Sequence, residues 1–402
     1  MRWTLTLMIG LIGGSPAPAG DLVWKHLTSE QGELPVPGTS QQQTGALVAD
    51  LDRDGRNDFV LSFRQKAPAL VWYHRQATGW DRIVIEPAFL TVEAGGAAYD
   101  IDGDGDLDLV FGADWQGDAL WWWENPAPRF DPGRPWIRHT IKTGGAHQHH
   151  DQVFGDFLGT GRAQLAFWNQ GAKTLFLATV PPEPRKADSW PRRVVVSAQS
   201  GGNAPYPEGV AAADIDGDGR TDLLAGNAWY RFEPDGSVRA TVVADIGGRI
   251  AAGRFQPGGP LQVVIAPGDG VGPLRWYECK GNATDPKAWV GHPLVDRPLV
   301  HGHTLQVADI DGDGHLDILA AEMAQWHEGA ARPDNPDATA WIFYGDGKGH
   351  FRTTVLATGI DFHEAQVADL DGDGNLDILA KPYTWRTPRV DVWLNQGSRA
   401  AR

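Results

Sequence analysis

An all-β ring of seven four-stranded blades, a β-propeller, is the fold this chain predicts. Three observations carry it: an acidic nonapeptide that recurs, the same order of short β-rich runs around each copy, and a turn-rich composition. The motif D-x-D-x-D-G-x-x-D stands five times, over Asp50–Asp58, Asp100–Asp108, Asp214–Asp222, Asp309–Asp317 and Asp369–Asp377. Two decayed copies fill the gaps, GDFLGTGRAQLAF starting its loop at Asp156 and GRFQPGGPLQVVI counted from Gly253. Repetition at a few tens of residues is the mark of units that bury their apolar faces only against neighbours.

Each repeat reads as four strands, A to D. Strand A is the short apolar run before the acidic loop (QVAD), and strand B the run after it (DILA). Strand C is the Trp/Tyr-rich run: LVWYH, LWWWEN, TLFLAT, LRWYE, WIFYG, VDVWLN. Strand D is β-branched: DRIVIE, IRHTI, RRVVVS, RATVVA, GHPLVD, RTTVLA. Alternating apolar and β-branched residues bounded by Gly, Pro and Asp are strand signals, and no stretch keeps a helical period over twelve residues. The last repeat stops after strand C, and DLVWKHLTS near the N-terminus looks like the missing strand D. Pairing the two closes the ring and removes its exposed edges.

Composition agrees. Of 402 residues 42% are hydrophobic and 18 are Trp, enough for a large core, while 50 Gly and 28 Pro suit many turns. A net charge of −16 argues against nucleic acid and anionic membranes as partners. Cys279 is the only cysteine, so neither an intrachain disulfide nor a thiolate zinc cluster is available. Residues 1–19 read as a signal peptide: Arg2, an apolar run from Leu5 to Ile12, and Ala17-Pro-Ala19 as cleavage site. The run is too short to span a bilayer. The expected organisation is a leader (1–19), one propeller (20–397) and a disordered tail (398–402), in a secreted or periplasmic protein.

The acidic loops predict structural Ca²⁺, up to five ions. Their spacing matches the start of an EF-hand loop: acids at positions 1, 3 and 5, Gly at 6 for the sharp turn, a carbonyl at 7, and Asp at 9. The predicted ligands are Asp50, Asp52, Asp54 and Asp58; Asp100, Asp102, Asp104 and Asp108; Asp214, Asp216, Asp218 and Asp222; Asp309, Asp311, Asp313 and Asp317; and Asp369, Asp371, Asp373 and Asp377. Without them the balance of 35 basic and 51 acidic residues would reverse. These loops, with the flanking strings ADIDGDG and LDILA, resemble the FG-GAP or VCBS repeats of integrin heads and many bacterial exported proteins. The resemblance covers about residues 40–397 and implies the propeller fold.

A second constellation appears when the repeats are aligned six residues before each loop. That register holds His150, Glu208, His303 and His363, with Thr44, Ala94 and Gly247 in the other repeats. Strands A line a propeller axis, so equal offsets mean equal heights, and the four residues should meet at the mouth opposite the calcium loops. AHQHHDQ adds His147, His149 and Asp151; HGHT adds His301; FHEAQ adds Glu364. Imidazoles with a carboxylate suit Zn²⁺, Mn²⁺, Fe²⁺ or Ni²⁺. A metal-free catalytic or binding cluster and a plain wet channel are the alternatives.

The B–C loops rise to the same mouth. They carry Arg64, Asp114, Trp115, Trp168, Asn169, Asp269, Glu322, Trp326, His327, Lys381, Tyr383, Trp385 and Arg386. Aromatic faces beside Asp, Asn and Arg suit a carbohydrate; Asp114, Trp115, Trp168, Asn169, Glu322, Trp326, Trp385 and Arg386 are the expected sugar contacts. The reading is metal-assisted β-elimination on a sugar, with His327, Tyr383, Lys381, Arg64 and His149 as candidate proton-transfer or catalytic groups. In arrangement the pattern resembles the propeller domain of aldos-2-ulose dehydratases and the metal-dependent oligogalacturonate lyases. The competing reading is a calcium-stabilised propeller that binds a glycan or protein without catalysis. No G-x-S-x-G, phosphate loop or dinucleotide loop is present.

Overall fold

The computed structural model describes residues 21–198 and 207–398; the predicted leader and the last four residues lie outside them. Seven four-stranded antiparallel sheets follow one another, each in the order A-B-C-D. The A strands are Gln43–Ala49, Ala97–Tyr99, Gln152–Gly155, Val210–Ala213, Arg249–Gly253, Thr304–Ala308 and Gln366–Ala368 in blades 1 to 7. Each touches the A strand of the next blade around a closed circle, so these strands form the inner wall. Among the described residues helix is confined to short 3-10 turns such as Ser29–Gln31. No helix among the described residues is long and apolar enough to cross a membrane.

The ring closes through the N-terminal strand, as the sequence predicts. Leu22–Thr28 pairs antiparallel with Asp391–Ser398 as strand D of blade 7. His26 stacks on Trp393 with ring centroids 4.0 Å apart, and its Nε2 lies 2.8 Å from the buried Asp391 carboxylate.

Both faces of every sheet are covered by its neighbours, which explains why strands B and C read as continuous apolar runs. Asp58–Phe63 and Gln164–Asn169 are buried at every residue. Seven apolar clusters, one per interface between blades, replace a single core. Between blades 7 and 1, for example, Phe59, Leu61 and Tyr73 meet Leu379, Val392 and Leu394. The Trp-rich C strands supply the bulk: Trp72, Trp122, Trp123 and Trp229 are fully buried. One feature escaped the repeat pattern. Val271–Gly272, in the B–C loop of blade 5, pairs with Leu299–Val300 ahead of blade 6 and ties two mouth segments together.

Candidate metal centre at the axis

Three of the four register residues lie together at the axis. His150, Glu208 and His303 are buried, and one ligand atom from each lies within 4.8 Å of the others. His303 Nε2 is 2.7 Å from Glu208 Oε1. His363 does not join this trio directly. It stacks between His303, with centroids 4.4 Å apart, and Tyr383, at 4.7 Å, and its ligand atom groups with His303 and Glu364. All four precede their A strands, while the acidic turns follow them. Six residues of extended chain, on the order of 20 Å, separate the two ends.

Each imidazole is held from behind. His150 Nδ1 lies 2.8 Å from Asp151 Oδ2, and His303 Nδ1 lies 3.1 Å from Glu364 Oε1. His363 Nδ1 contacts Lys381 Nζ at 2.8 Å, and that amine also donates to the carbonyls of Gln43 and Thr44. Arg249 closes the circle, its Nη1 bridging Asp151 and Glu364 at 2.5 and 3.0 Å. The contacts of His303 are close but misaligned as hydrogen bonds, so Glu208 Oε1, Glu364 Oε1 and His303 Nδ1 are buried without a directed partner. These atoms have charged neighbours but no well-directed hydrogen bond, a geometry that leaves room for an ion among them.

Electrostatics set the protonation of the cluster. Burial works against charge on His150, yet Asp151 outweighs it and raises the imidazole to about 9. His303 is likewise held well above its usual range, Glu208 overcoming burial. Glu208 falls to about 2 because His303 and His150 outweigh its own burial. The carboxylates thus hold protons on both imidazoles, which a metal would have to displace. His363 is the exception: burial and then Lys381 hold it well below its usual range. Burial pushes Lys381 down to about 7.

The other predicted site residues divide into two groups. Trp115 is exposed and Arg386 and His327 lie on the rim, while Trp326 and Trp385 are half-buried with centroids 6.2 Å apart. Tyr383 borders the axis, its hydroxyl accepting from Arg64 Nη1 at 2.8 Å; burial pushes the phenol up to about 12, with Arg64 opposing. Arg64 also pairs with Glu93 and, through Nε, with Asp114 at 3.3 Å. The remaining residues are buried and structural. Trp168 donates to Gly209 O, and Asn169 to Ala146 O. Glu322 takes a bidentate pair from Arg297 at 2.6 and 2.8 Å and also caps Val300 and Thr339 N–H groups. Asp114 has no exposed surface. His149 packs on Phe167 and meets Asn169 instead of facing the axis; burial drives it down to about 3. Trp168 and Asn169 end strand B and Glu322 follows it directly, so all three are still inside the stack of sheets.

Arg249 and Glu93 were missed. Glu93 gives no motif signal. In blade 5 the position-1 residue is Arg254 rather than Gly253, because Gln262 starts strand B and takes the place of the ninth residue. The register position is therefore Gly248, and Arg249 follows it onto the axis.

In the acidic turns the first Asp accepts backbone N–H groups, as Asp50 does from Asp54 and Gly55. The ninth Asp starts strand B, buried. Asp317 accepts from Ile310 N at 2.8 Å and from Gly345 N, at the end of strand C, at 2.9 Å. Burial pushes Asp58, Asp222, Asp317 and Asp377 up to about 7 and Asp108 to about 8. Asp50, Asp52 and Asp54 form one ligand-capable group, as do Asp100, Asp102 and Asp108, and Asp214, Asp216 and Asp218.

Comparison with known proteins bears on the fold. The FG-GAP-like repeat family matches residues 325–380, and the FG-GAP repeat family matches residues 206–243. No curated protein matches the chain. Among solved structures, a chain in the crystal structure of BBS1N in complex with ARL6DN is 12% identical with a TM-score of 0.52; the match covers 94% of this chain and 99% of that one. Rhamnogalacturonan lyase YesW is 14% identical at TM-score 0.49, covering 94% and 75%. The V. cholerae biofilm matrix protein Bap1 is 10% identical at 0.49, covering 94% and 92%. Likeness at this level concerns fold alone. The chain carries FG-GAP repeats, and they build a seven-bladed β-propeller.

Proposed function

We propose that this chain is an exported carbohydrate-active enzyme that performs metal-assisted β-elimination at the propeller mouth, on a scaffold rigidified by Ca²⁺. The observation that carries the reading is the axial trio of His150, Glu208 and His303, with each imidazole oriented by a second carboxylate. Metal-binding histidines are built in this way, and a sugar-binding surface alone has no need of it. A tetrahedral cation with bonds of about 2.0–2.1 Å keeps its ligands roughly 3.3 Å apart, so Glu208 and His303 would part by about half an ångström to admit one.

A bound divalent cation supplies Lewis acidity beside a substrate carbonyl or carboxylate. The chain's residues do the rest. Trp326, Trp385 and Trp115 offer faces for sugar rings, and Arg386 offers donors. In the elimination a C–H proton passes to a basic side chain, His327 on the rim being the assigned acceptor. The C–H electron pair forms the new C=C bond, and the C–O bond breaks. Tyr383, kept protonated, gives its proton to the leaving oxygen while Arg64 fixes the phenol. Lys381 and Asp151 are positioning groups that hold His363 and His150.

The test is a panel of oligosaccharides scored for unsaturated products by ultraviolet absorbance, with metal content measured in parallel. Glu208→Gln and His303→Asn should lose the transition metal and the activity while keeping Ca²⁺. The alternative, a non-catalytic glycan- or protein-binding propeller, draws on the exposed Trp115 and the Trp326–Trp385 pair. A wild-type protein that retains glycans, holds only Ca²⁺ and turns over none of them would establish it.

A further inference from the structure

We propose that the fourth protein ligand of the axial cation is Asp269 rather than His363, so that the cation sits toward the open side of the mouth. This rests on the axial-metal reading above and fixes its ligand set. Asp269 lies in the B–C loop of blade 5, outside the register that identifies the other ligands. Its Oδ1 stands 3.5 Å from His303 Nε2, on the side where that nitrogen also meets Glu208 Oε1. Two ligands on one tetrahedral cation are separated by roughly this distance. Asp269 and His303 therefore already have the spacing that Glu208 and His303 reach only by parting.

The loop is built to hold this carboxylate in place. The Asp269 N–H donates to Glu208 Oε2 at 3.2 Å, and its carbonyl oxygen lies 2.6 Å from His301 Nδ1. His301 Nε2 in turn meets Asp334 Oδ2 at 2.8 Å. Gly268, at φ +61°, lets the backbone pass the Glu208 carboxylate, which a Cβ there would overlap. The small sheet between Val271–Gly272 and Leu299–Val300 ties the loop to blade 6. Three segments thus converge to hold the backbone of a residue whose side chain is 60% exposed, whereas those of Glu208 and His303 are 9% and 1% exposed. A carboxylate fixed through its backbone and set beside His303 at the boundary between a buried cluster and solvent is suited to an open coordination position.

His363 has a different situation. Its Nδ1 is taken by Lys381, and both ring faces are covered by His303 and Tyr383. An amine beside it also disfavours a cation on that side. Its role is to pack against His303 and hold that ring.

The experiment is a Co²⁺ and Zn²⁺ titration of the full chain in excess Ca²⁺, after removal of transition metal with a chelator selective against calcium. Asp269→Asn keeps the loop, whose ties run through its backbone; it should weaken Zn²⁺ binding tenfold or more and shift the visible Co²⁺ spectrum. His363→Phe keeps the stack and removes both nitrogens; it should leave affinity within about twofold and the spectrum unchanged. Wild-type affinity and spectrum in Asp269→Asn would overturn the assignment, and so would a loss in His363→Phe as large as that in Asp269→Asn. A wild-type chain that takes up no Zn²⁺ or Co²⁺ would instead overturn the axial-metal reading itself.

Discussion

Five of the seven A–B turns keep their acids and two do not, and the two are closed by hydrogen-bond donors of their own. In blade 3, Gln164 replaces the ninth Asp; its Nε2 donates to the carbonyl of Arg162 at the seventh position and to Thr160 Oγ1. In blade 5, Gln262 Nε2 donates to the seventh-position carbonyl of Pro260 at 3.0 Å. Arg254 there stands where the first Asp would be, and its Nη1 donates to Gly258 O and Gly259 O, both at 3.2 Å. An amide or guanidinium N–H thus points where an EF-hand-like loop directs its oxygens at Ca²⁺. The five acidic turns keep their carboxylates at the centre, and in three of them strands or loops outside the turn supply a donor. Arg185 Nη2 lies 2.6 Å from Asp102 Oδ2, Arg231 Nη1 donates to Asp216 Oδ2 at 2.9 Å, and His74 Nε2 lies 2.7 Å from Asp52 Oδ2. Asp106 Oδ1 and Asp309 Oδ1 are buried without hydrogen bonds. The difference teaches that two turns complete their centres with their own donors, whereas five gather carboxylates there, the arrangement on which the proposal of bound Ca²⁺ rests.

The largest effect that would test this contrast is calcium removal. Each site at a free ion concentration of a hundred times Kd contributes about 2.7 kcal/mol. Chelation should lower Tm by on the order of 10 °C or more, and elemental analysis should return five Ca²⁺ per chain rather than seven. Calorimetry showing the same Tm with and without chelator would break the contrast outright.

A smaller effect separates two positions within one acidic turn. Asp317 serves as proposed ligand and as acceptor for two buried N–H groups, so Asp317→Ala should cost about 3 kcal/mol or more, at about 1–3 kcal/mol per group stranded. Asp313 accepts only from His315 N, at the surface, so Asp313→Ala acts chiefly through weaker ion binding and should cost at most about 2.7 kcal/mol, the contribution of one saturated site. In chelator the Asp313→Ala penalty should vanish, while that of Asp317→Ala should persist in urea unfolding curves. Equal persistence of both would mean that these carboxylates brace the turn and do nothing for an ion.

Legibility in the sequence followed the same division. The acidic turns were readable because their chemistry is local: nine residues carry both the turn and its ligands. His150, Glu208 and His303 were readable only through those turns, as a fixed offset along an inner strand. Where the turn decayed the ruler failed, which is why Arg249 went unseen beside Gly248. Side-chain direction was the other limit. Trp168, Asn169 and Glu322 stand at the mouth end of strand B, yet in a blade covered on both faces that position is still interior. Asp269 was named in a loop, but its approach to His303 depends on a contact between blades that no spacing encodes.

Smaller again is the exchange of an internal donor for a charge. Gln262→Asp keeps the acceptor for Phe255 N and Gln256 N but removes the donor to Pro260 O, so it should cost about 1–2 kcal/mol and gain no Ca²⁺. Stabilisation of this variant by added Ca²⁺ would show that blade 5 already carries a calcium-ready turn.

The smallest change in stability, and the sharpest test of what the acids do, is to restore a lost site. Backbone shape decides which of the two turns can accept it. Every acidic turn has positive φ at its fourth residue, 63° at Arg53 and 73 to 82° at Gly103, Gly217, Gly312 and Gly372, and again at its sixth. Blade 3 keeps that shape, with φ of 63° at Gly159 and 74° at Gly161, and Asp156 still accepts from Thr160 N and Gly161 N as Asp50 does from its own turn. Blade 5 has Pro257 in the fourth place, where the ring forbids positive φ, and its left-handed residues are Gly258 and Gly259. The triple change L158D/T160D/Q164D should therefore raise the calcium count from five to six, and at saturating Ca²⁺ its Tm should stay close to that of the parent. The matching acids in blade 5, R254D/Q256D/G258D/Q262D, should add no ion and should lower Tm, because like charges would gather in a turn that cannot fold around a cation. If both turns gained an ion, the backbone argument would fail and composition alone would govern binding; if neither did, the acidic motif would need more than its turn and its carboxylates.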